Sequence, residues 1–272
     1  FQTGDDRDKL TRMTRALQNR FQSKILGELS FALGKSFKWT ADGCFMSQSS
    51  DIDTIIKKFR MEGCNPASLP MLPGFKVRDC IGAPLPENIP YRSAIGSLLY
   101  LALCTRRDIA YAVCALAGYV QQPLISHWTA VKRVIQYIQT TRDFGLYYRR
   151  HVSSSRVLID SYTDARYNDG DKGRSTLAYV VRLCGNVVAW KSKLSSGVPQ
   201  SAMEAELYAL NLGTREVAWF HHVLNEITNQ QLDTTQIYCE NVPCIDVVTS
   251  ARTTGRTYAS HRTHVLLCSS FT

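Results

Sequence analysis

The chain has 272 residues, 44% apolar and 20% charged, which supplies a packed core and excludes a disordered or fibrous protein. Its formal charge of +9 is one-sided: residues 1–150 carry 21 basic and 12 acidic side chains, while residues 151–272 carry 11 of each. A basic first part joined to a neutral second part points to a polyanion held mainly by the first.

The nine cysteines are odd in number, widely spaced and without a C-x-x-C, as expected of a reduced intracellular protein rather than a disulfide framework. The apolar runs 95–104 and 110–120 are separated by Thr105-Arg106-Arg107-Asp108. Both fall short of the roughly 18 residues that a membrane span requires, so no membrane partner is expected. No secretory signal opens the chain, and the absence of an initiator methionine suggests a fragment.

In chain order, residues 5–23 are predicted as an amphipathic helix with Leu10, Met13, Leu17 and Phe21 on one face. Strand-like pieces follow at 29–39 and 44–48, joined by the turn Ala41-Asp42-Gly43. A second helix starts at Ser49 or Ser50 and places Ile52, Ile55, Ile56 and Phe59 at helical spacing. Six of the nine prolines lie between 66 and 90, which marks an extended connector. From 91 to about 139 the pattern is helical and apolar, including Trp128, Val131, Val134, Ile135 and Ile138, and reads as a packing unit. Strands are predicted at 145–148, 157–164, 175–184 and 186–193, with Gly185-Asn186 suited to a tight hairpin turn between the last two. A long helix at 202–227 and a strand at 236–240 complete an α+β or α/β pattern, with a boundary near 150.

Three acids in the second part attract chemistry. Asp164 and Glu240 end predicted strands, and Glu206 lies near the start of the long helix on a face shared with Leu210 and Gly213. Carboxylates converging on one point repel unless a cation binds, and hard divalent metals suit them. Two such metals can activate a water and stabilise the leaving oxygen of a phosphodiester. Glu204 is better explained as the last member of the capping box Ser201-Ala202-Met203-Glu204. Asp160 and Asp246 read as solvated acids, His221-His222 as surface positions, and His261-x-x-His264 with Cys268 as a weak zinc-like spacing.

The run Pro90-Tyr91-Arg92-Ser93-Ala94-Ile95-Gly96-Ser97-Leu98-Leu99-Tyr100 resembles the copia-type retrotransposon polyprotein, as do Thr105-Arg106-Arg107-Asp108-Ile109-Ala110-Tyr111 and His127-Trp128. Thr163-Asp164-Ala165, Gly173-Arg174-Ser175-Thr176, Trp190-Lys191-Ser192-Lys193, Glu204-Ala205-Glu206-Leu207-Tyr208 and Tyr238-Cys239-Glu240-Asn241 continue the resemblance in the family's order. It implies the end of a reverse transcriptase palm and a thumb-like region at 1–65. A proline-rich connector and helical connection then follow at 66–150. An incomplete, C-terminally truncated RNase H-like mixed sheet with helices occupies 151–272.

By that resemblance Asp164, Glu206 and Glu240 take the places of the catalytic acids and ligands of two Mg2+ ions. The implied activity is endonucleolytic cleavage of RNA in RNA–DNA hybrids. The implied partners are a hybrid or other nucleic acid and the remainder of the Pol polyprotein, in the cytoplasm within a virus-like particle or in the nucleus. Arg106, Arg107, Lys132, Arg133, Arg149 and Arg150 are the expected phosphate contacts.

Three departures bear on turnover. The family's Tyr-x-Asp-Asp signature is absent, so polymerisation is not expected. Position 240 is Glu where the family has Asp, and Leu266 stands where the family's His-Ile-Asp-Ile has its acid. The alternative reading is therefore a catalytically dead remnant that binds nucleic acid without cutting it.

Overall fold

In the computed structural model residues 6–24, 27–150, 157–228, 232 and 234–250 are described, together with the backbone of 257–260 and 264–267. The zinc-like spacing that begins at His261 lies outside the described side chains.

The first helix, α1 (Arg7–Arg20), is capped by the Asp6 carboxylate, which accepts the N–H groups of Asp8 and Lys9 at 3.0 Å each. None of its side chains is buried, and Met13, Leu17 and Phe21 stay exposed. The apolar stripe expected from the sequence exists, but only Leu10 of it is half-buried.

Strands β1 (Phe31–Ala32), β2 (Lys35–Thr40), β3 (Gly43–Ser47) and β4 (Gly145–Arg149) form an antiparallel sheet in that order. The single strand predicted at 29–39 is cut by Leu33-Gly34. Both have positive φ, 51° and 71°, the left-handed pair of a two-residue hairpin turn. β4 returns from far along the chain to pair with β3, Met46 opposite Leu146.

Helices α2 (Ser49–Lys58), α3 (Tyr91–Cys104), α4 (Ala110–Ala117) and α5 (Ile125–Thr140) surround one core in which Ile52, Leu98, Leu116 and Ile135 are fully buried. That core spans the expected division at 65/66. The proline-rich connector carries one 3-10 turn at Val77–Asp79 and is pinned by buried His127. The His127 Nδ1 accepts the Leu124 N–H at 3.0 Å, which leaves the proton on Nε2, 3.3 Å from the Val77 carbonyl. Burial pulls this imidazole below its ordinary pKa and keeps it neutral.

The second sheet runs β7-β6-β5-β8-β10-β9, from β5 (Ile159–Arg166), β6 (Thr176–Leu183), β7 (Asn186–Leu194), β8 (Thr235–Tyr238), β9 (Thr257–Ser260) and β10 (His264–Leu267). Only β5 and β8 are parallel among the described pairs, so the sheet is mixed. The hairpin between β6 and β7 turns at Cys184-Gly185 (φ 48° and 78°), one residue earlier than predicted. Three elements the sequence reading did not place are β9, β10 and the short helix α7 (Val242–Ser250).

The long helix α6 (Ala202–Thr228) crosses β5 and β6, burying Ala209, Leu210 and Val217 with Val181 and Ile237. Gly213 allows the close approach, because a Cβ there would stand 2.5 Å from the Thr163 methyl. A Gly213→Ala variant is expected to lose stability. The overpacking cost of about 1–3 kcal/mol outweighs the ~1 kcal/mol gain in helix propensity, a sign that denaturant titration reads directly.

The helical unit rests on the β7 side of this sheet. The Trp190 indole N–H donates to the Ala102 carbonyl (2.7 Å), and the Cys114 thiol donates to the Ser192 carbonyl (2.9 Å). The Asn186 amide clasps the Arg149 backbone in both directions, at 2.8 and 3.0 Å. The architecture is α+β, and among the described residues no helix is long and apolar enough to cross a membrane.

Candidate functional site

The parallel pair β5–β8 and the first turns of α6 meet at one end of the second sheet. Odd-numbered residues of β5 (Ile159, Ser161, Thr163) turn under α6 and are buried, so Asp164 points to the other side and is exposed.

Helix α6 begins with the expected cap. The Glu204 N–H donates to Ser201 Oγ (3.1 Å), while the Glu204 carboxylate accepts from the Gln200 N–H (2.7 Å) and the Tyr208 hydroxyl (3.0 Å). Glu204 is thus occupied by capping. One half-turn on, Glu206 faces inward, only 8% exposed. Its carboxylate accepts the Ala165 backbone N–H, and the Cys239 thiol donates to its Oε2 at 3.8 Å.

Burial first, then the Cys239 sulfur and the Asp164 charge, push the Glu206 carboxyl up to about 7. The Asp164 charge thus acts on Glu206, although Asp164 itself stands exposed on the other side of the strand.

Glu240, like Asp164, lies on the side away from α6. β8 ends at Tyr238, and the burial alternation carries Ile237 and Cys239 inward and leaves Glu240 exposed. The side chain that meets Glu206 from this strand is Cys239, which the sequence reading passed over. Its sulfur accepts a hydrogen bond from Cys244 near the start of α7, whose own N–H is held by Asn241 Oδ1 at 2.9 Å. That donation draws the Cys239 thiol down and pushes Cys244 up.

Magnesium takes oxygen ligands in near-octahedral geometry, so the Cys239 thiol beside Glu206 is a poor ligand for it. Among the described residues no three His, Cys, Asp or Glu side chains gather as a metal site.

The expected phosphate contacts divide. Arg107, Lys132, Arg149 and Arg150 are exposed, and Arg133 is half-buried with its Nε enclosed and without a hydrogen-bond acceptor. Arg106 is a correction: it is 1% exposed and faces inward. Its guanidinium grips Asp108 (2.8 Å) and the Thr141 carbonyl (3.1 Å), and lies over the rings of Tyr137 and Phe144. A cation so enclosed contacts no phosphate.

Two other sequence readings also change. Asp160, read as solvated, is held by the Arg182 guanidinium (3.0 and 3.2 Å to Nε). His221, read as a surface position, is half-buried with Nε2 2.6 Å from Thr235 Oγ1.

Fold and site together define an α+β protein with a buried glutamate at a helix–strand junction and a basic helical unit alongside. The chain is 33% identical over 241 residues to the retrovirus-related Pol polyprotein from transposon RE2 of Arabidopsis thaliana, covering 88% of this chain and 16% of that protein. It is 29% identical over 263 residues to the corresponding polyprotein from transposon TNT 1-94 of Nicotiana tabacum, covering 93% of this chain and 19% of that one. An uncharacterized mitochondrial protein of Arabidopsis thaliana is 31% identical over 219 residues, 80% of this chain and 89% of its own length. No family model and no solved structure matches. The chain belongs to the retrovirus-related Pol polyproteins of transposons and spans less than a fifth of the two polyproteins named.

Proposed function

We propose that residues 157–250 and the strands after them form an RNase H-type unit of a Pol polyprotein. In this reading the chain engages RNA–DNA hybrid or a related nucleic acid through its basic part and does not cut it. The strand order β7-β6-β5-β8, with β5 and β8 parallel and α6 laid across them, supports the RNase H-type reading.

The observation that carries the loss of cleavage is the third position of the acid site. A buried Cys239 thiol stands beside Glu206 while Glu240 is exposed past the strand end. An in-line displacement needs both ions at fixed separation, and a soft thiol with a carboxyl near neutrality supplies no second hard site. A second reading, residual hydrolysis, is favoured by the nearness of the Asp164 charge to Glu206, which it helps to hold protonated.

The test is a hybrid-cleavage assay with magnesium and with manganese on the chain and on Asp164→Asn. Salt-dependent hybrid binding with no cleavage in either metal is the expected result. Magnesium-dependent cleavage that Asp164→Asn abolishes would overturn it.

A further inference from the structure

We propose that the open face of the first sheet binds an unpaired stretch of nucleic acid, its bases on Phe45 and Tyr147 and its phosphates on Lys38 and Arg149. Alternation along the strands sorts this sheet into two faces. Cys44 and Leu146 are buried on one, with half-buried Met46 in the row of Leu146, while Ser47 is buried at one end of the other.

On the other face, Lys38, Phe45 and Tyr147 stand side by side across β2, β3 and β4, and Thr40, Gly43 and Arg149 form the next row. Tyr147 is 41% exposed, Lys38, Thr40 and Arg149 are exposed, and Phe45 is half-exposed. The Tyr147 and Thr40 hydroxyls lie 3.0 Å apart, which braces the ring. Gly43 leaves the second row without a central side chain, because a Cβ there would run into the Tyr148 carbonyl at 2.0 Å. The result is a two-ring platform with a cation on each side. Arg150 follows, its N–H on the Asp42 carbonyl at 2.7 Å.

The occupant follows from the chemistry. Aromatic rings on a flat sheet gain from the faces of unstacked bases, about 1–3 kcal/mol per base, and flanking cations gain from phosphates. A duplex offers phosphates to such a surface but keeps its base faces stacked inside. An apolar protein partner would gain nothing from Lys38, Arg149 and Arg150, while the half of the chain that carries all of the +9 would repel a basic one. The proposal stands on the first sheet alone and does not rest on Asp164 or Glu206.

The experiment is fluorescence anisotropy of a labelled oligothymidylate, with an RNA–DNA hybrid titrated in parallel, on the chain and its variants. Phe45→Ala and Tyr147→Ala are each expected to weaken oligothymidylate binding about tenfold, and Tyr147→Phe to restore most of it. The double variant Lys38→Ala with Arg149→Ala is expected to flatten the salt dependence by about two phosphate contacts. Photocrosslinking of a 5-iodouridine oligonucleotide to the unaltered chain is expected to mark peptides holding Phe45 or Tyr147, independently of any folding defect in a variant. Unchanged affinity in the ring variants, or crosslinks confined to the second sheet, would overturn the proposal. Equal weakening of hybrid and single strand would overturn the preference for unpaired strands. Loss of oligothymidylate binding with hybrid binding intact supports it whatever the cleavage assay returns.

Discussion

Replacing Glu206 by Gln is expected to stabilise the protein at neutral pH by on the order of 3 kcal/mol and to remove a pH dependence that the parent shows. The carboxyl sits near 7 in the folded chain against 4.5 for an ordinary glutamate, chiefly because it is buried and then because Cys239 and Asp164 crowd it. Between those two values the unfolded chain releases a proton that the folded chain keeps. Folded stability therefore falls as pH rises from about 4.5 to 7 and levels off above. Below 4.5 both forms are protonated and the penalty vanishes. Gln keeps the shape and still accepts the Ala165 N–H through its amide oxygen, yet carries no charge to desolvate. Urea titrations from pH 4 to 8 should give a falling curve for the parent and a flatter one for Glu206→Gln. Parallel curves would mean that Glu206 is ionised in the fold like any surface acid.

That inward acid was legible in the sequence, because Glu206 shares the spacing of Leu210 and Gly213 on one side of a helix. The neighbour it meets follows from the same logic applied to β8: if Ile237 faces inward, so does Cys239, and Glu240 must face away. The helices α2, α3 and α5 follow the predicted periodicity because each buries a sharp apolar face in one core. Both hairpin turns were harder to place. Leu33 and Cys184 hold left-handed conformations that the usual turn residues would have announced, and only the glycine after each gave a signal. The pairing of β3 with β4 joins segments far apart in the chain, and no local pattern encodes it. Helix α1 is the reverse case, since its amphipathic pattern is clear but Met13, Leu17 and Phe21 stay exposed. The pair Arg106-Arg107 looks in sequence like one basic patch. The chain reversal at the end of α3 sends the first arginine into the interior and the second to the surface.

Those two arginines give the most discriminating prediction. Arg106→Ala is expected to cost about 3 kcal/mol, the low end of the range for removing one partner of a buried ion pair, because Arg106 is buried while the Asp108 side chain is 30% exposed. It strands the Asp108 carboxylate, leaves the Thr141 carbonyl and hydroxyl without a donor, and empties the space over Tyr137 and Phe144. Arg106→Lys should recover only part of this loss, because a point ammonium cannot reproduce the planar fork that bridges Asp108 and Thr141. Burial alone would raise the Asp108 pKa, but the Arg106 hydrogen bonds and charge outweigh it and hold the carboxyl below its ordinary range. The stability contributed by the pair is therefore present above the ordinary aspartate pKa and lost as the solution is acidified through the lowered one. In Arg106→Ala that acid-sensitive component should disappear. Arg107→Ala is expected to behave oppositely. Its side chain is exposed, so denaturation midpoints should barely move, while the salt dependence of nucleic-acid binding should lose about one phosphate contact. Both variants measured in the same two assays give four numbers, and only an inward Arg106 with an outward Arg107 produces loss of stability in the first and loss of salt slope in the second.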